Sequence, residues 1–428
     1  MYIQQLCLTH YRGAASLSLN LHERLNVLVG VNGAGKSTVL DAIAILLSWM
    51  VSRIRQSGTS GRSLSLSEAE IMNGESWASL EIVCGDEHQS LSWRLSKSRR
   101  GHGSPLQPSD LQQLSHYTKT LQGQISQANS WVNLPLFVYY PVHRAVLDIP
   151  LRIRSSHRFD LLSAYDQSLT TGANFRTFFE WFREREDLEN EILVQQLPLF
   201  REEGQQVHRD RQLEAVRAAI SQLLPEFQHL TVRRSPLRME VEKNGEVLTV
   251  NQLSDGEKCL IAMVGDLARR MAIANATKAN PLDGEGVILI DELELHLHPK
   301  WQRMIAPRLR QVFPNCQFIV STHSPHILTH VEAETIVLLT RNNDEIQVKT
   351  PSESYGKSVE RILEDIMELE TTRPTVVSQK LHEIYEMISV DQCEIAHQQI
   401  QDMRQLIGDD PELTKAEILI QRKKLIGK

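Results

Sequence analysis

The segment Gly30-Val-Asn-Gly-Ala-Gly-Lys-Ser-Thr38 constrains this chain more than any other part of its sequence. It fits the pattern GxxxxGK[ST]. It directly follows the apolar run Leu25–Val29 and directly precedes an apolar stretch with helical spacing that ends near Met50. A buried strand, a glycine-rich turn and a helix in this order form a phosphate-binding loop. The pattern therefore predicts an α/β fold with a nucleotide site at the carboxyl end of a buried strand.

Each residue type in this loop has a physical role. Glycine lets the backbone N–H groups approach phosphate oxygens, and the helix that begins at Lys36 directs its positive dipole end at them. Lys36 adds a full charge on the β- and γ-phosphates, and Ser37 supplies a hydroxyl for Mg²⁺. The alternative is a glycine-rich turn that binds nothing. We assign ATP binding to Gly30, Asn32, Gly33, Ala34, Gly35, Lys36, Ser37 and Thr38.

Two carboxylates follow a second apolar run. Val287–Ile290 is four apolar residues long, and Asp291 and Glu292 come directly after it. A buried parallel strand that ends there would present both acids at its carboxyl edge, where α/β sheets bind ligands. We predict that Asp291 holds Mg²⁺ through water and that Glu292 acts as the general base on the attacking water. Such a pair of acids means little by itself, and the phosphate loop gives it weight.

Two further motifs favour the same site. The segment Leu253-Ser-Asp-Gly-Glu257 precedes a predicted helix, and its Ser254 and Glu257 form an S-x-x-E capping box. A capped helix start with a glycine is also an anion site, so the structural and functional interpretations are compatible. His323 follows the apolar strand Gln317–Val320, which should be the next strand of the sheet after the Asp291 strand. It is predicted to contact the γ-phosphate, although a histidine after a strand is more often structural. The residues assigned to the first motif are Leu253, Ser254, Asp255, Gly256 and Glu257.

Composition limits the class of protein. The apolar content is 41%, the net charge is −7, and the five cysteines are far apart in the sequence. These values fit an ordinary globular protein and predict a cytoplasmic location without membrane contact or disulfides. The acidic balance argues against indiscriminate DNA binding. Arg233, Arg234 and Arg238, with Arg152, Arg154 and Arg158, could line a nucleic-acid groove, but such charge runs are more often solvated surface.

The chain is long enough for several regions. We predict the first part of the nucleotide-binding head in residues 1–150, a helical insert in 151–229, the second part of the head in 230–350 and a helical region in 351–428. The insert does not sustain heptads long enough for a coiled coil. The C-terminal helices have apolar stripes, which fit either a helical cap or a docking surface for a partner or a second copy.

The chain contains the segments GVNGAGKST, LSDGE, VILIDE and STHSP in this order. Together they resemble the motifs of ABC-type ATPases of the SMC/RecF-like branch. The resemblance implies a head-to-tail dimer in which Ser254–Glu257 of one copy covers the ATP of the other. It also implies that Glu292 is the base, His323 the switch histidine and Glu294–Pro299 the D-loop. It places Arg12 near the nucleotide. The signature reads LSDGE rather than LSGGQ, and the slot expected for a glutamine loop, Val138–Arg144, contains no glutamine.

A second resemblance covers more of the chain. Tyr139–Arg154, Ser354–Leu363 and Gly408–Glu417 are similar to segments of the PtuA-type ATPases of Septu antiphage systems and Septu-type retrons. This resemblance implies an ATP- and Mg²⁺-dependent ATPase (class EC 3.6) without nuclease activity of its own. The implied partner is a PtuB-like HNH endonuclease. Higher oligomers and contact with retron DNA or RNA, or with phage DNA, stay open. The alternatives are a RecF-like DNA-repair ATPase and, third, a transporter subunit.

Overall fold

The computed structural model describes residues 1–56, 63–85, 90–127, 132–142, 159–170, 175–195, 209–342 and 345–426. The chain divides into two compact units, Met1–Ser358 and Val359–Lys428. The first unit contains three β-sheets and their helices, and the second contains helices. The predicted boundaries at residues 150, 229 and 350 stay predictions.

The strands and helices of the described residues have the following bounds. The strands are β1 (Tyr2–Tyr11), β2 (Ala14–Asn20), β3 (Leu25–Val29), β4 (Trp77–Gly85), β5 (Ser90–Ser98), β6 (Leu136–Tyr140), β7 (Phe227–Arg234), β8 (Leu237–Lys243), β9 (Glu246–Thr249), β10 (Gly286–Ile290), β11 (Cys316–Ser321), β12 (Ile336–Asn342) and β13 (Glu345–Lys349). The helices are α1 (Lys36–Arg55), α2 (Gln112–Ser126), α3 (Phe175–Gln195), α4 (Arg211–Leu223), α5 (Asp255–Ala274), α6 (Pro299–Val312), α7 (Pro325–Leu328), α8 (Val359–Asp365), α9 (Thr375–Ser389), α10 (Cys393–Ile407) and α11 (Pro411–Ile426).

The central sheet has six strands in the order β13–β12–β3–β11–β10–β6. Strands β12, β3, β11, β10 and β6 are parallel, and β13 is antiparallel at the edge. Every residue of β3, β6, β10 and β11 is buried, as expected for parallel strands covered on both faces. Because the carboxyl ends of parallel strands share one edge, the segments that follow β3, β10 and β11 meet there. The prediction that His323 follows a strand beside the Asp291 strand is confirmed.

Two antiparallel sheets flank this core. One has the order β2–β1–β4–β5, and the other has the order β7–β8–β9 and leads into α5. Helix α1 is the one helix in the described part of the chain that is long and apolar enough to cross a membrane. It contacts β4, β6, β10 and β11, and 72% of its most apolar window is buried inside the protein.

A buried polar cluster joins α5 to β6. The carboxylate of Asp266 accepts hydrogen bonds from Arg269 (2.7 Å), Arg270 (2.8 Å) and the hydroxyl of Tyr140 (3.1 Å). Burial alone would raise the pKa of Asp266, but the two guanidinium groups outweigh it and lower this pKa. Arg270 also donates to the carbonyl of Ala164 (2.7 Å), so the cluster fixes the turn at 161–170 to the same helix.

The helices of the predicted insert pack on the head. Helices α3 and α4 both contact α5, and α3 does so in a segment where Phe178, Trp181 and Phe182 are fully buried. Arg217 of α4 pairs with Glu186 and Glu189 of α3. These contacts make α3 and α4 part of the first compact unit, and neither helix extends into a long rod.

The second unit has a core of its own. The nine buried residues at this core are Leu381, Ile384, Ile388, Ala396, Ile400, Met403, Leu413, Ala416 and Ile420. They come from α9, α10 and α11, and ion pairs between Arg373 and Asp410 (2.7 Å) and between Arg404 and Glu417 (2.9 Å) surround them. The apolar stripe predicted for the last helix therefore lies inside a three-helix core.

Candidate nucleotide-binding and catalytic site

The predicted phosphate loop connects β3 to α1. A Cβ atom added to Gly30 would lie 2.3 Å from the carbonyl oxygen of Leu339 on the neighbouring strand, so only glycine fits at this turn. Gly35 caps α1 with φ 105°, a conformation that favours glycine, and it has no side chain that could cap the start of the helix. A helix N-terminus that follows a glycine-rich loop is suited to bind an anionic ligand. Asn32, Gly33 and Ser37 are exposed on the loop, Thr38 is half-buried, and Ala34 is buried beneath them.

Lys36 lies under the loop. Its Nζ donates to the carbonyl oxygens of Gly30 (2.8 Å) and Val31 (3.2 Å). Burial lowers the pKa of Lys36, while the carboxylates of Asp291, Glu294 and Glu292 favour its charged form. The ammonium group therefore belongs to the same electrostatic cluster as the acids.

The acid at the end of β10 contacts the phosphate loop directly. The Ser37 hydroxyl donates to Oδ2 of Asp291 (2.9 Å), and the Ser321 hydroxyl donates to Oδ1 (2.5 Å). Ser37 belongs to the first turn of α1 and Ser321 to the end of β11, so the Asp291 carboxylate bridges both. Sequence reasoning did not single out Ser321, although it belongs to the STHSP motif.

The group Ser37–Asp291 fits Mg²⁺. The ion prefers oxygen ligands, keeps several waters and is usually held by one or two protein oxygens together with substrate phosphates. A hydroxyl and a carboxylate 2.9 Å apart beside the phosphate loop supply this kind of oxygen set. The other Asp291 oxygen is held by Ser321, which fixes the orientation of the carboxylate.

Glu292 has an unusual backbone. Its φ is 49°, in the left-handed region that costs energy for a residue other than glycine. The backbone N–H donates to the Ser321 hydroxyl oxygen (2.8 Å), and the N–H of Leu293 donates to the Ser321 carbonyl (2.9 Å). These bonds hold the turn after β10 against the end of β11, with the Glu292 side chain half-buried at the shared edge.

The segment that carries His323 is held by another acid. Glu294 accepts hydrogen bonds from the Thr322 hydroxyl (2.7 Å) and from the backbone N–H of His323 (2.5 Å). His323 is half-buried and follows β11, which lies between β3 and β10. The structure thus brings the segments of Lys36, Ser37, Asp291, Glu292 and His323 to one edge of the sheet. Their roles in binding and catalysis stay predictions.

The signature segment lies at the start of α5. Ser254 accepts a hydrogen bond from the Glu257 N–H (3.4 Å), and the Glu257 carboxylate accepts from the Ser254 N–H (2.8 Å), so the predicted capping box forms. Burial opposes the ionisation of Glu257, but hydrogen bonds from Lys243 and Ser254 outweigh it and lower the pKa. Ser254 and Asp255 are exposed, whereas Leu253 and Gly256 are buried. A Cβ at Gly256 would lie 2.1 Å from the carbonyl oxygen of His296.

The signature is not part of the phosphate loop of the same chain. Among the hydrogen bonds of the described residues, none joins Leu253–Glu257 to the loop at 30–38. Its side-chain bonds stay within the motif or run to Lys243 and Lys258.

Arg12 is bound by two acids. Its guanidinium donates to Asp41 (2.6 Å) on α1 and to Glu70 (3.0 Å), and Asp41 also accepts from the Tyr139 hydroxyl (3.0 Å). The predicted contact of Arg12 with nucleotide stays a prediction. Arg12 lies between β1 and β2 and is linked to the phosphate-loop helix through Asp41, which lies five residues after Lys36 on α1.

The arginines considered for nucleic-acid binding are paired with acids. Arg233 and Arg238 both bind Glu240 (2.8 and 2.6 Å), and Arg234 binds Glu186 (2.6 Å). These pairs neutralise the surface and favour the interpretation of a solvated, ion-paired face. The described residues do not include Arg152, Arg154 and Arg158. They also do not include residues 143–154 of the segment with PtuA-like sequence, which contain the end of the glutamine-loop slot.

The fold and the site together define a P-loop ATPase head with an ABC-type signature. Residues 25–329 match the family model “AAA domain, putative AbiEii toxin, Type IV TA system”. The chain is 31% identical to “Retron Ec83 probable ATPase” of Escherichia coli over 90% of this chain and 79% of that protein. It is 26% identical to “Septu protein PtuA” of Bacillus thuringiensis over 87% of this chain and 86% of the relative.

The chain belongs to this family of ATPases of retron and Septu antiphage systems. The predicted membership in the PtuA-type ATPases and the predicted α/β fold of an ABC-type ATPase head are confirmed. A solved structure of an SMC head bound to the C-winged helix domain of ScpA is 15% identical, with a TM-score of 0.46. The match covers 82% of this chain and 98% of that head.

Proposed function

We propose that this ATPase works as a head-to-tail dimer in which each site combines the phosphate loop and acids of one copy with the signature of the other. The observation that carries this proposal is that, among the described residues, no hydrogen bond joins the signature to the phosphate loop of the same chain. The loop, Asp291, Glu292 and the His323 segment share one sheet edge, whereas Ser254–Glu257 has its bonds elsewhere. In the dimer, the N-terminus of α5 would face the γ-phosphate of the partner's ATP.

Each residue then has a defined task. Lys36 and the N-terminus of α1 bind the phosphates, and Ser37 and Asp291 hold Mg²⁺, which neutralises phosphate charge when bound. Glu292 orients and deprotonates the attacking water, and His323 contacts the γ-phosphate. Closure of the dimer excludes water from this charge cluster and strengthens its interactions. Hydrolysis removes the γ-phosphate that joins the two heads, so the nucleotide state sets the dimer geometry.

The geometry controlled in this way would regulate a partner, which we propose is an HNH nuclease effector in the bacterial cytoplasm. The relatives named as retron and Septu proteins support this assignment. We place the partner contact on the second unit. Its α11 is apolar on more than the buried stripe, because Ile418 and Leu425 are 59% and 78% exposed. An amphipathic helix with such side chains can fill a groove on another protein.

Co-purification tests this function. A tagged chain expressed with its native gene neighbourhood should retain a small HNH protein in a fixed ratio, as measured by native mass spectrometry. Ile418→Ser combined with Leu425→Ser should lower the retained amount at least about tenfold, because desolvated apolar anchors dominate binding energy. Leu106→Ser is the matched control, since Leu106 is 86% exposed on the first unit.

The opposite result would change the function. A chain that purifies with no other protein, and that binds DNA with ATP in a salt-dependent manner, would instead be a RecF-like ATPase that acts on DNA directly. The ion pairs of Arg233, Arg234 and Arg238 speak against that outcome.

A further inference from the structure

Glu294 lies two residues after the proposed general base, and its carboxylate hydrogen-bonds to the segment that follows β11. Oε2 accepts the hydroxyl hydrogen of Thr322 (2.7 Å), and Oε1 accepts the backbone N–H of His323 (2.5 Å). Both oxygens are therefore engaged by the two residues that follow β11. The side chain is half-buried, where such charge-assisted hydrogen bonds are stronger than on an open surface.

Further hydrogen bonds hold the segment Thr322–Ser324 and the turn that carries Glu294. Thr322 Oγ1 also accepts the N–H of Ser324 (2.9 Å), so its hydroxyl hydrogen is the one that points to Glu294. The Ser324 hydroxyl donates in turn to Gln302 of α6 (2.6 Å). On the other side, the Leu297 N–H donates to the Glu294 carbonyl (2.8 Å) and closes the turn that carries the acid.

The position of the acid is also fixed from the β10 side. The N–H groups of Glu292 and Leu293 both donate to Ser321, one to its hydroxyl and one to its carbonyl. The two strand ends are thus joined by five of these hydrogen bonds: one from Ser321 to Asp291, two from the backbone turn after β10 and two to the Glu294 carboxylate. Glu292 follows one of these strand ends, and His323 follows the other.

We infer that Glu294 is a positioning residue that holds His323 toward the γ-phosphate within its own subunit. This inference rests on the proposed function, because it needs His323 to act on ATP. It differs from the role that the family resemblance implies for Glu294–Pro299, a D-loop passing between subunits. The carboxylate acts through the backbone N–H of His323 and through Thr322, not on the nucleotide.

The inference makes a specific prediction for the alanine and glutamine variants. Glu294→Ala should lower kcat for ATP hydrolysis by about 10- to 100-fold with KM for ATP changed less than about threefold, because a misplaced catalytic group affects the chemical step. Glu294→Gln should keep kcat within about fivefold of the parent. Its amide oxygen can accept from His323, and its amide nitrogen can donate to the second lone pair of Thr322 Oγ1.

A double-mutant cycle with His323→Ala gives the deciding measurement. If Glu294 acts through His323, the double variant Glu294→Ala, His323→Ala should hydrolyse ATP as slowly as His323→Ala alone. Thermal unfolding and ATP binding of each variant report on folding. Glu334→Ala, at an exposed acid before β12, is the control for charge removal.

The possible outcomes distinguish a failure of the positioning role of Glu294 from a failure of the proposed function. Multiplied losses in the double variant, or a Gln variant as slow as the Ala variant, would overturn the positioning role. The same holds if kcat of Glu294→Ala equals that of the parent while His323→Ala is slow. A His323→Ala variant with parental turnover would instead remove His323 from the proposed site.

Discussion

Glu292→Gln should lower the rate of ATP hydrolysis at least about 100-fold and leave ATP binding intact, because general base catalysis contributes about 10²–10⁴-fold. The amide has nearly the shape of the carboxylate but cannot take a proton from water. The turn around it is held through backbone N–H bonds to Ser321, which the substitution does not alter. Steady-state phosphate release and equilibrium binding of ATP measure the two quantities.

The matched control for this variant is Glu285→Gln. Glu285 directly precedes β10, at the opposite edge of the same sheet, and pairs with the N-terminal ammonium group. We expect its turnover to stay within about twofold of the parent, as for a surface ion pair. If Glu292→Gln hydrolysed ATP at the parental rate, Glu292 would not be the base, even if ATP binding were normal.

Lys36→Ala should weaken ATP binding by about 100-fold or more, which is the second large effect. The substitution removes the charge on the β- and γ-phosphates, worth about 3 kcal/mol for a charge-assisted hydrogen bond left unmade. The substitution also removes the bonds from Lys36 Nζ to the carbonyls of Gly30 and Val31, so thermal unfolding of the variant is measured beside its affinity. Equilibrium dialysis with ATP and Mg²⁺ measures the affinity.

The control for Lys36→Ala is Lys349→Ala, a loss of charge at an exposed position of β13. We expect no change in affinity beyond about twofold for that variant. Parental ATP affinity in Lys36→Ala, with the protein folded, would place the nucleotide away from the loop.

The central strands could be predicted from the sequence because each is a short apolar run followed by a motif. The runs Leu25–Val29 and Val287–Ile290 end where β3 and β10 end, and their glycine or acidic successors mark the sheet edge. The capping box at Ser254 was equally readable, since local hydrogen bonds form it. In these segments, local pattern and tertiary structure agree.

Helix α2 (Gln112–Ser126) was not predicted. It is rich in Gln, Ser and Thr, and among its residues only Leu114, Thr118 and Leu121 are buried. Contacts with β5 and α1 stabilise it, and such tertiary contacts override a weak local pattern.

His296 and His298 alternate in the sequence as on a strand, but they do not lie on one. His296 has φ 62° and lies in a turn, whereas His298 caps α6 through a bond from the Lys300 N–H (3.2 Å). Alternation over only four residues does not distinguish a strand from a turn.

The supporting residues of the site were the least predictable. Ser321 and Glu294 belong to motifs that the sequence displays, yet their roles depend on which strand ends lie side by side. Even with β11 predicted beside β10, one sequence does not give their register, and therefore does not reveal that the Ser321 hydroxyl reaches Asp291.

Mixing two inactive variants tests most directly whether each site combines the phosphate loop of one copy with the signature of the other. Lys36→Ala spoils the phosphate loop, and Ser254→Arg blocks the signature, so each alone should hydrolyse ATP at less than about 1% of the parental rate. Random pairing makes about half of the dimers mixed, and each mixed dimer has one complete site, so turnover should return to about a quarter of the parental rate. If mixed dimers form, as native mass spectrometry would show, and turnover stays at the sum of the two variants, the signature does not act on the partner's ATP.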